Sequence, residues 1–284
     1  MTDPEVFEKV IKNLRKVLGE NPNINIVSVS QNDFEGHCQC PNCLKIEEED
    51  GTPAGPFLRF VNKVAENLEV DYPNLTVDTL AYKYTQKAPK VTKPRHNVCI
   101  RLCSITCHFN HPLTKSGCSA CENFCRAIEG WSEICENIYI WDYTTNYAYY
   151  LASFPNFGVL RENMKFFAEH NVKGVYEQGN ASGPSGEFGE LRAYMLTKAL
   201  WNPDEAMDTD AFMEAYYGAG APFVQKYLDY IHEKVKDLHF NLVISAANLW
   251  NPLIPDEDIP MLDTLWADAY KAALAGGTTA GGFG

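Results

Sequence analysis

The apolar positions of this chain alternate between two periods. Val6, Phe7, Val10, Ile11, Leu14 and Leu18 recur every three or four residues and predict an amphipathic helix. Asp3 is placed to cap it, and Pro4 suits its first turn. The β-branched run "INIVSVS" then predicts a strand. "PFLRFVNKVAENL" returns to the helical period, with Phe57, Val61, Val64, Ala65 and Leu68 on one stripe. "LTVDTLAY" and "NVCIRLC" read as strands, "CENFCRAIEGWSEIC" as a helix, "NIYIWDY" as a strand, "FGVLRENMKFFAEH" as a helix and "VKGVYEQG" as a fifth strand. From Glu187 onward the pattern is nearly all helical, through "ELRAYMLTKALW", "DAFMEAYY" and "PFVQKYLDYIHEKV".

Strands separated mostly by helices imply parallel pairing with helices packed outside. No Gly-rich phosphate loop follows any strand, which disfavours a nucleotide-binding sheet. The expected fold class is α/β, of the (β/α)8 TIM-barrel type. Five strands do not close such a barrel, so the chain is expected to be a fragment carrying the last five strands, followed by C-terminal helices. A chain that starts directly on a helix fits that expectation. Residues 1–186 are read as the C-terminal part of the barrel, 187–275 as a helical segment packed on it, and 276–284 as a Gly-rich flexible tail.

Composition then narrows the partners. The 284 residues are 45% hydrophobic, enough for a sizeable core. A formal net charge of -13, with no basic stretch, argues against nucleic acid and anionic membrane surfaces. No segment approaches the roughly 20 apolar residues of a membrane span. "MTDPEVFEKV" has no signal-peptide character. Aromatics reach 12%; most are expected in the core, and the remainder suit sugar faces.

In α/β barrels the chemistry sits at the C-terminal ends of strands. Gln31, Asn32, Asp33 and Glu35 follow the first strand, and Tyr82, Lys83 and Tyr84 the second. Arg101, His108 and His111 lie on or after the third. Trp141, Asp142 and Tyr143 end the fourth, with Asn146 behind them, and Glu177 and Gln178 end the fifth. A single Asp past a strand is as often a turn former. Carboxylates at three strand ends, flanked by aromatics, are nevertheless the equipment for glycoside hydrolysis. One carboxyl must be protonated to help the leaving oxygen depart, and the other must stay charged. "HFNH" is read as polar lining rather than a metal site.

All ten cysteines lie between residues 38 and 135. Cys40-x2-Cys43 and Cys118-x2-Cys121 have spacings that suit zinc, and structural zinc at Cys38, Cys40 and Cys43 is one reading. Disulfides and free thiols packed as small hydrophobes are the others. A redox role is disfavoured, because neither pair is expected to open a helix in a compact βαβ unit. The three cysteines after Asp33 are expected to brace a long loop reaching Pro53.

Several separate segments resemble one family. "SVSQNDFEGHCQCPNC", "TLAYKYTQKAPK", "NVCIRLCSITCHFNHPL", "IYIWDYTTNYAYYLASFPN" and "GVYEQGN…ELRAYMLTKALWNPD" are similar to the domain of unknown function 4838, over roughly Asp3 to Tyr230. The resemblance implies a TIM-barrel glycoside hydrolase, akin to glycoside hydrolase family 163, with endo-β-N-acetylglucosaminidase action on complex N-glycans. It further implies an exported protein of gut Bacteroidetes, periplasmic, at the cell surface or extracellular. On the matched segments it points to Asp33 and Glu177 as catalytic carboxylates. A substrate-assisted mechanism would have the acetamide oxygen attack the anomeric carbon; a conventional two-carboxylate pair, retaining or inverting, is the alternative. Gln31, Asn32, Tyr82, Tyr84, Arg101, His111, Trp141, Asp142, Tyr143, Asn146 and Gln178 are the expected substrate-binding residues, and no cofactor is required. The expected partner is therefore a glycan. An α-glucuronidase-like hydrolase, needing Arg101 or Lys83 on a uronic carboxylate, and a non-catalytic carbohydrate-binding domain are the competing readings.

Overall fold

The computed structural model describes residues 1–183, 186–241 and 253–276. It divides into two compact units: Met1–Ile105, Glu122–Asp142 and Ala168–Glu177 form the first, and Thr106–Cys121, Tyr143–Phe167 and Gln178–Gly284 the second.

The first unit opens with α1 (Pro4–Glu20), which Asp3 caps by accepting the Glu5 N–H at 2.8 Å. Ile11 and Leu18 form its buried edge. β1 (Ile26–Ser28) is shorter than its β-branched run. The segment expected to be a loop up to Pro53 instead contains α2 (Pro41–Asp50). Its first turn is fixed by Pro41, and Gly51 closes it in the left-handed region at φ 70. α3 (Ala54–Glu69), β2 (Thr76–Ala81), β3 (Val98–Cys103), α4 (Ser119–Ser132), β4 (Ile138–Tyr143), α5 (Leu160–Glu169) and β5 (Val172–Gln178) follow.

The strands form one parallel sheet in the order β1-β2-β3-β4-β5, curled like half a barrel. Every strand lies beside its neighbour in sequence, which is barrel-like winding; a doubly wound sheet reverses direction at a switch point. Val27, Val77, Ile100, Leu102, Ile138 and Ile140 fill one face of the sheet. Val61, Val64, Ala65 and Leu68 of α3 supply the buried helix stripe packed on that side.

A polar knot locks α2 to α3. Asp50 is fully buried and accepts the N–H groups of Val91 (3.1 Å) and Thr92 (2.7 Å), the Thr92 hydroxyl (2.7 Å) and Arg59 Nη2 (3.2 Å). Burial alone would raise its pKa. The Thr92 and Val91 hydrogen bonds and the Arg59 charge outweigh burial and hold it below the usual value. A Cβ on Gly55 would collide with the Asp50 carboxylate, which its hydrogen bonds hold in place, so only glycine fits there.

The second unit contains α6 (Gly189–Trp201), α7 (Thr209–Tyr217), α8 (Ala221–Val235) and α9 (Ile259–Ala275). Leu191, Met195, Met213, Tyr217, Val224, Leu228, Ile231 and Leu262 make its core. From residue 277 the expected flexible tail lies outside the described residues, while Leu274 and Ala275 belong to α9. Among the described residues no helix is long and apolar enough to cross a membrane.

Candidate functional site

Register partners in a parallel sheet share a face, and successive residues alternate between faces. Asp78 pairs with Cys99, Leu80 with Arg101, Arg101 with Tyr139 and Cys103 with Trp141, so these side chains stand opposite the helix-covered face. Arg101 Nε lies 2.9 Å from the Asp78 carboxylate. Trp141 meets Tyr176 edge to face at 5.3 Å, and Tyr176 is 52% exposed. Gly174 packs beside the Tyr139 ring, and a Cβ there would lie 3.4 Å from it, at van der Waals contact. This face is therefore aromatic and half-open, with one ion pair set into it. Asp78 was not foreseen from the strand ends, although an Asp inside the β-branched run "LTVDTLAY" was a signal. Burial pushes its pKa up, against the lowering pull of Ser28 and Arg101.

The C-terminal rim carries a second polar group. Ser104, Asp142 and Glu177 follow Leu102, Ile140 and Val175 by two residues, at the ends of β3, β4 and β5. The Ser104 hydroxyl donates to the buried Asp142 carboxylate. Both Glu177 carboxyl oxygens are shielded from solvent and have no hydrogen-bond partner among the described residues. That burial pushes the Glu177 pKa well above the ordinary carboxylate range, and the charge of Asp142 raises it further. The rim thus pairs a carboxyl group that holds its proton with one that is hydrogen-bonded.

Asp33 stands elsewhere at the same end of the sheet. Its side chain is 82% exposed, lies 2.9 Å from Lys83 Nζ and accepts the Tyr82 hydroxyl at 3.0 Å. The Lys83 and Tyr82 hydrogen bonds hold its pKa below the usual value. Lys83 adopts φ 53, a left-handed conformation uncommon for a residue with a Cβ. Gln31 donates to the Tyr82 carbonyl (2.7 Å) and the Thr85 hydroxyl (2.8 Å), fixing the turn after β2. Asn32 is exposed, and the Tyr84 ring leans on His37 at 5.5 Å. The structure thus gives Asp33 the partners Lys83 and Tyr82, and gives Glu177 the neighbour Asp142.

Within the second unit, Tyr143 is buried edge-on against Phe109 (6.4 Å) and Tyr147 (6.0 Å). Asn146 is buried, and its side-chain oxygen accepts the N–H groups of Ala148 and Tyr149 at 3.1 Å each. The Gln178 backbone carbonyl accepts from Thr144 N–H (3.1 Å), the Thr144 hydroxyl (3.0 Å) and the Tyr147 hydroxyl. These groups join the starts of the loops that follow β4 and β5.

All ten cysteines are free thiols. Both C-x2-C pairs sit at helix starts, contrary to the sequence reading: Cys40 caps α2, and Cys118 immediately precedes α4. The Cys43 backbone N–H leads the interactions that bring the Cys40 thiol down to about 6, as a helix N-terminus does. Burial pushes Cys99 and Cys103, on β3, up to about 12. Cys38, Cys40 and Cys43 bring their sulfurs within 4.8 Å of one another. In the second unit one ligand atom from each of His108, His111, Cys118 and His239 falls within the same 4.8 Å.

A family model described as "Domain of unknown function (DUF4838)" matches residues 1–229. No curated protein matches the chain. Among solved structures, a GH138 enzyme targeting pectin rhamnogalacturonan II aligns at a TM-score of 0.36 and 10% identity, over 82% of this chain and 34% of that one. The tandem GH20 catalytic modules of the pneumococcal exo-β-D-N-acetylglucosaminidase StrH align at 0.28 and 12% identity, over 94% of this chain and 61% of that one. The chain therefore spans about a third of the first structure and three-fifths of the second.

Proposed function

The chain belongs to the DUF4838 family, and on that premise we propose that it is part of an exported glycoside hydrolase acting on N-acetylglucosamine-containing glycans. The observation that carries the proposal is Glu177. Its carboxyl group is buried at a strand end, unpaired among the described residues, and raised in pKa by burial and by Asp142. A glycosidase needs a carboxylic acid that keeps its proton until the leaving oxygen takes it. Glu177 is assigned that role.

Two carboxylates are eligible as the charged partner. Asp142 is assigned it, because it is electrostatically coupled to Glu177 and oriented by Ser104. In the acetamide-assisted route it would orient and polarise the substrate N–H while the acetamide oxygen attacks. Asp33, the partner expected from sequence, is held ionised in a solvent-exposed pair with Lys83, which suits a contact to sugar hydroxyls. Against the glucuronidase reading, Arg101 is paired with Asp78 and Lys83 with Asp33.

The test is hydrolysis of a complex N-glycan by the protein and by Glu177→Gln, Asp142→Asn and Asp33→Asn. Loss of general-acid assistance should cost about 10²–10⁴-fold in kcat for Glu177→Gln, and less on an aryl glycoside whose leaving group needs no proton. Equal losses on both substrates would remove Glu177 from the acid role. Glycan binding without turnover would favour a binding domain, and release of glucuronic acid the competing hydrolase.

A further inference from the structure

Three imidazoles and a thiol converge at one point of the second unit. The loop after β3 supplies His108, His111 and Cys118, and the segment after α8 supplies His239. Backbone pairing delivers the fourth residue. Phe109 N–H donates to the Phe240 carbonyl at 2.9 Å, and His108 and Asn241 form an antiparallel bridge. Asn110 clamps the same segment from its side chain, donating to the Leu238 carbonyl (2.9 Å) and accepting the Phe240 N–H (3.0 Å).

The ring centroids of His108 and His239 are 4.5 Å apart, those of His108 and His111 5.8 Å, and those of His111 and His239 5.6 Å. His108 Nδ1 lies 3.0 Å from Cys118 Sγ. His111 gives the most specific sign. It is 4% exposed, and its Nδ1 lies 2.9 Å from the Pro112 carbonyl, which can only accept. Nδ1 therefore carries the hydrogen, and Nε2 presents a lone pair. That Nε2 is buried with no hydrogen-bond partner among the described residues. An imidazole that donates one nitrogen to a carbonyl and keeps the other bare has the posture of a metal ligand held by its outer shell.

We propose that His108, His111, Cys118 and His239 form a zinc site. Zinc takes nitrogen at about 2.0–2.1 Å and thiolate sulfur at about 2.3 Å, so a tetrahedron has edges of about 3.3–3.6 Å. Four ligand atoms already within 4.8 Å of one another need only small side-chain rotations to reach it. The mixed imidazole–thiolate set suits zinc and disfavours calcium and magnesium, which take oxygen. Four protein ligands leave no open position, so the ion is structural: it ties the loop after β3 to the segment after α8. The site is independent of the glycosidase reading.

The experiment is metal analysis of the chain purified reduced and without chelators, followed by cobalt(II) titration of the metal-stripped protein. The expected result is a cobalt spectrum of tetrahedral intensity with a thiolate charge-transfer band, and a higher Tm on adding zinc. With Cys38, Cys40 and Cys43 all changed to Ser, so that the other thiol cluster contributes nothing, the further change Cys118→Ser should abolish the band. His239→Ala changes an exposed residue, so folding is retained and checked by circular dichroism. It should weaken affinity by more than the about 10–100-fold that loss of an outer-shell partner costs. The triple variant Cys38→Ser, Cys40→Ser, Cys43→Ser should leave that band and affinity in place. An octahedral cobalt spectrum, a band that survives Cys118→Ser in the triple Ser background, or affinity unchanged by His239→Ala would each overturn the proposal.

Discussion

Arg192→Met should strongly destabilise the second unit. Arg192 is 4% exposed and donates in four directions: Nε to Asn156 Oδ1 (3.0 Å), Nη1 to the Glu187 carbonyl (2.6 Å), and Nη2 to the Phe154 carbonyl (3.1 Å) and Glu187 Oε2 (2.8 Å). Its guanidinium carbon also lies 4.4 Å from the Phe157 ring centroid. The acceptors come from the segment between β4 and α5 and from the segment between β5 and α6, so one cation fastens the two loops that follow the proposed catalytic strands. Removing it leaves the Glu187 carboxylate buried without its partner. Breaking such a pair costs about 3–5 kcal/mol. Unfolding entropy of about 2.1 cal/mol/K per residue gives a Tm fall of about 5–8 °C if all 284 residues unfold together, and roughly twice that if the second unit unfolds alone. Lys165→Ala is the control. Lys165 meets Asp204 at 2.9 Å with side chains 51% and 73% exposed, and its loss should cost about 0–1 kcal/mol. Glu187→Gln combined with Arg192→Met should recover part of the loss, because no uncompensated charge remains. Urea denaturation of the four proteins decides the matter. If Arg192→Met costs no more than Lys165→Ala, the buried pair is not what holds these loops.

Other expectations follow from the first unit. The folded state holds the Glu177 proton more tightly than the unfolded chain, so the contribution of this group is full below about pH 4.3 and declines as pH rises toward the folded pKa. Glu177→Gln should flatten that decline in denaturation curves from about pH 4 to 8; a wild-type slope in the variant would refute the assignment of burial. Asp50 has the opposite sign. Its lowered pKa contributes stability above about pH 3.9 that is lost as pH falls through the folded value. Asp50→Ala, stripping the partners of Val91, Thr92 and Arg59, should cost about 2–4 kcal/mol at neutral pH; a change under 1 kcal/mol would mean water replaces it. Asp33→Ala should leave stability within about 0.5 kcal/mol, because its ion pair is exposed, so an activity loss there would report sugar contact alone. If Cys38, Cys40 and Cys43 also hold zinc, metal analysis should fall by one ion per chain in their triple Ser variant; an unchanged metal content would leave them as free thiols.

The strands and most helices were legible because their apolar periods are clean: the α1 and α3 stripes and the β-branched runs of β2 to β5 need no tertiary information. α2 was missed because its only buried residues are Cys43 and Asp50, neither a periodic hydrophobe, and its signals are local: Pro41 at the start and Gly51 at the end. The strand-end rule located Asp33, Asp142 and Glu177 but not which of them meet. That depends on strand order. β4 and β5 are neighbours, so Asp142 and Glu177 come together, whereas β1 and β5 are opposite edges of the sheet. Asp78 was passed over because attention fell on strand ends and it lies within a strand. His239 could not be linked to His108 and His111 by spacing, since the link is the backbone bridge between His108 and Asn241.

The two thiol-bearing clusters share a physical logic. Each follows a strand, β1 or β3, in a segment with few apolar residues: "QNDFEGHCQCPNC" and "SITCHFNHPLTKSGCSAC". Segments so poor in apolar residues cannot be held by a hydrophobic core of their own, and the entropy of ordering them must be offset by something else. Asp33 relies on Lys83 in a left-handed turn, and the three sulfurs lie a few residues beyond it. The loop after β3 relies on the Asn110 clamp and the His–Cys cluster. Cys99 and Cys103 sit instead in the sheet, where burial raises their thiols to about 12. The thiols therefore differ along the chain: the Cys43 N–H draws Cys40 down to about 6 at the start of α2, whereas burial raises Cys43 and Cys118 as it raises Cys99 and Cys103.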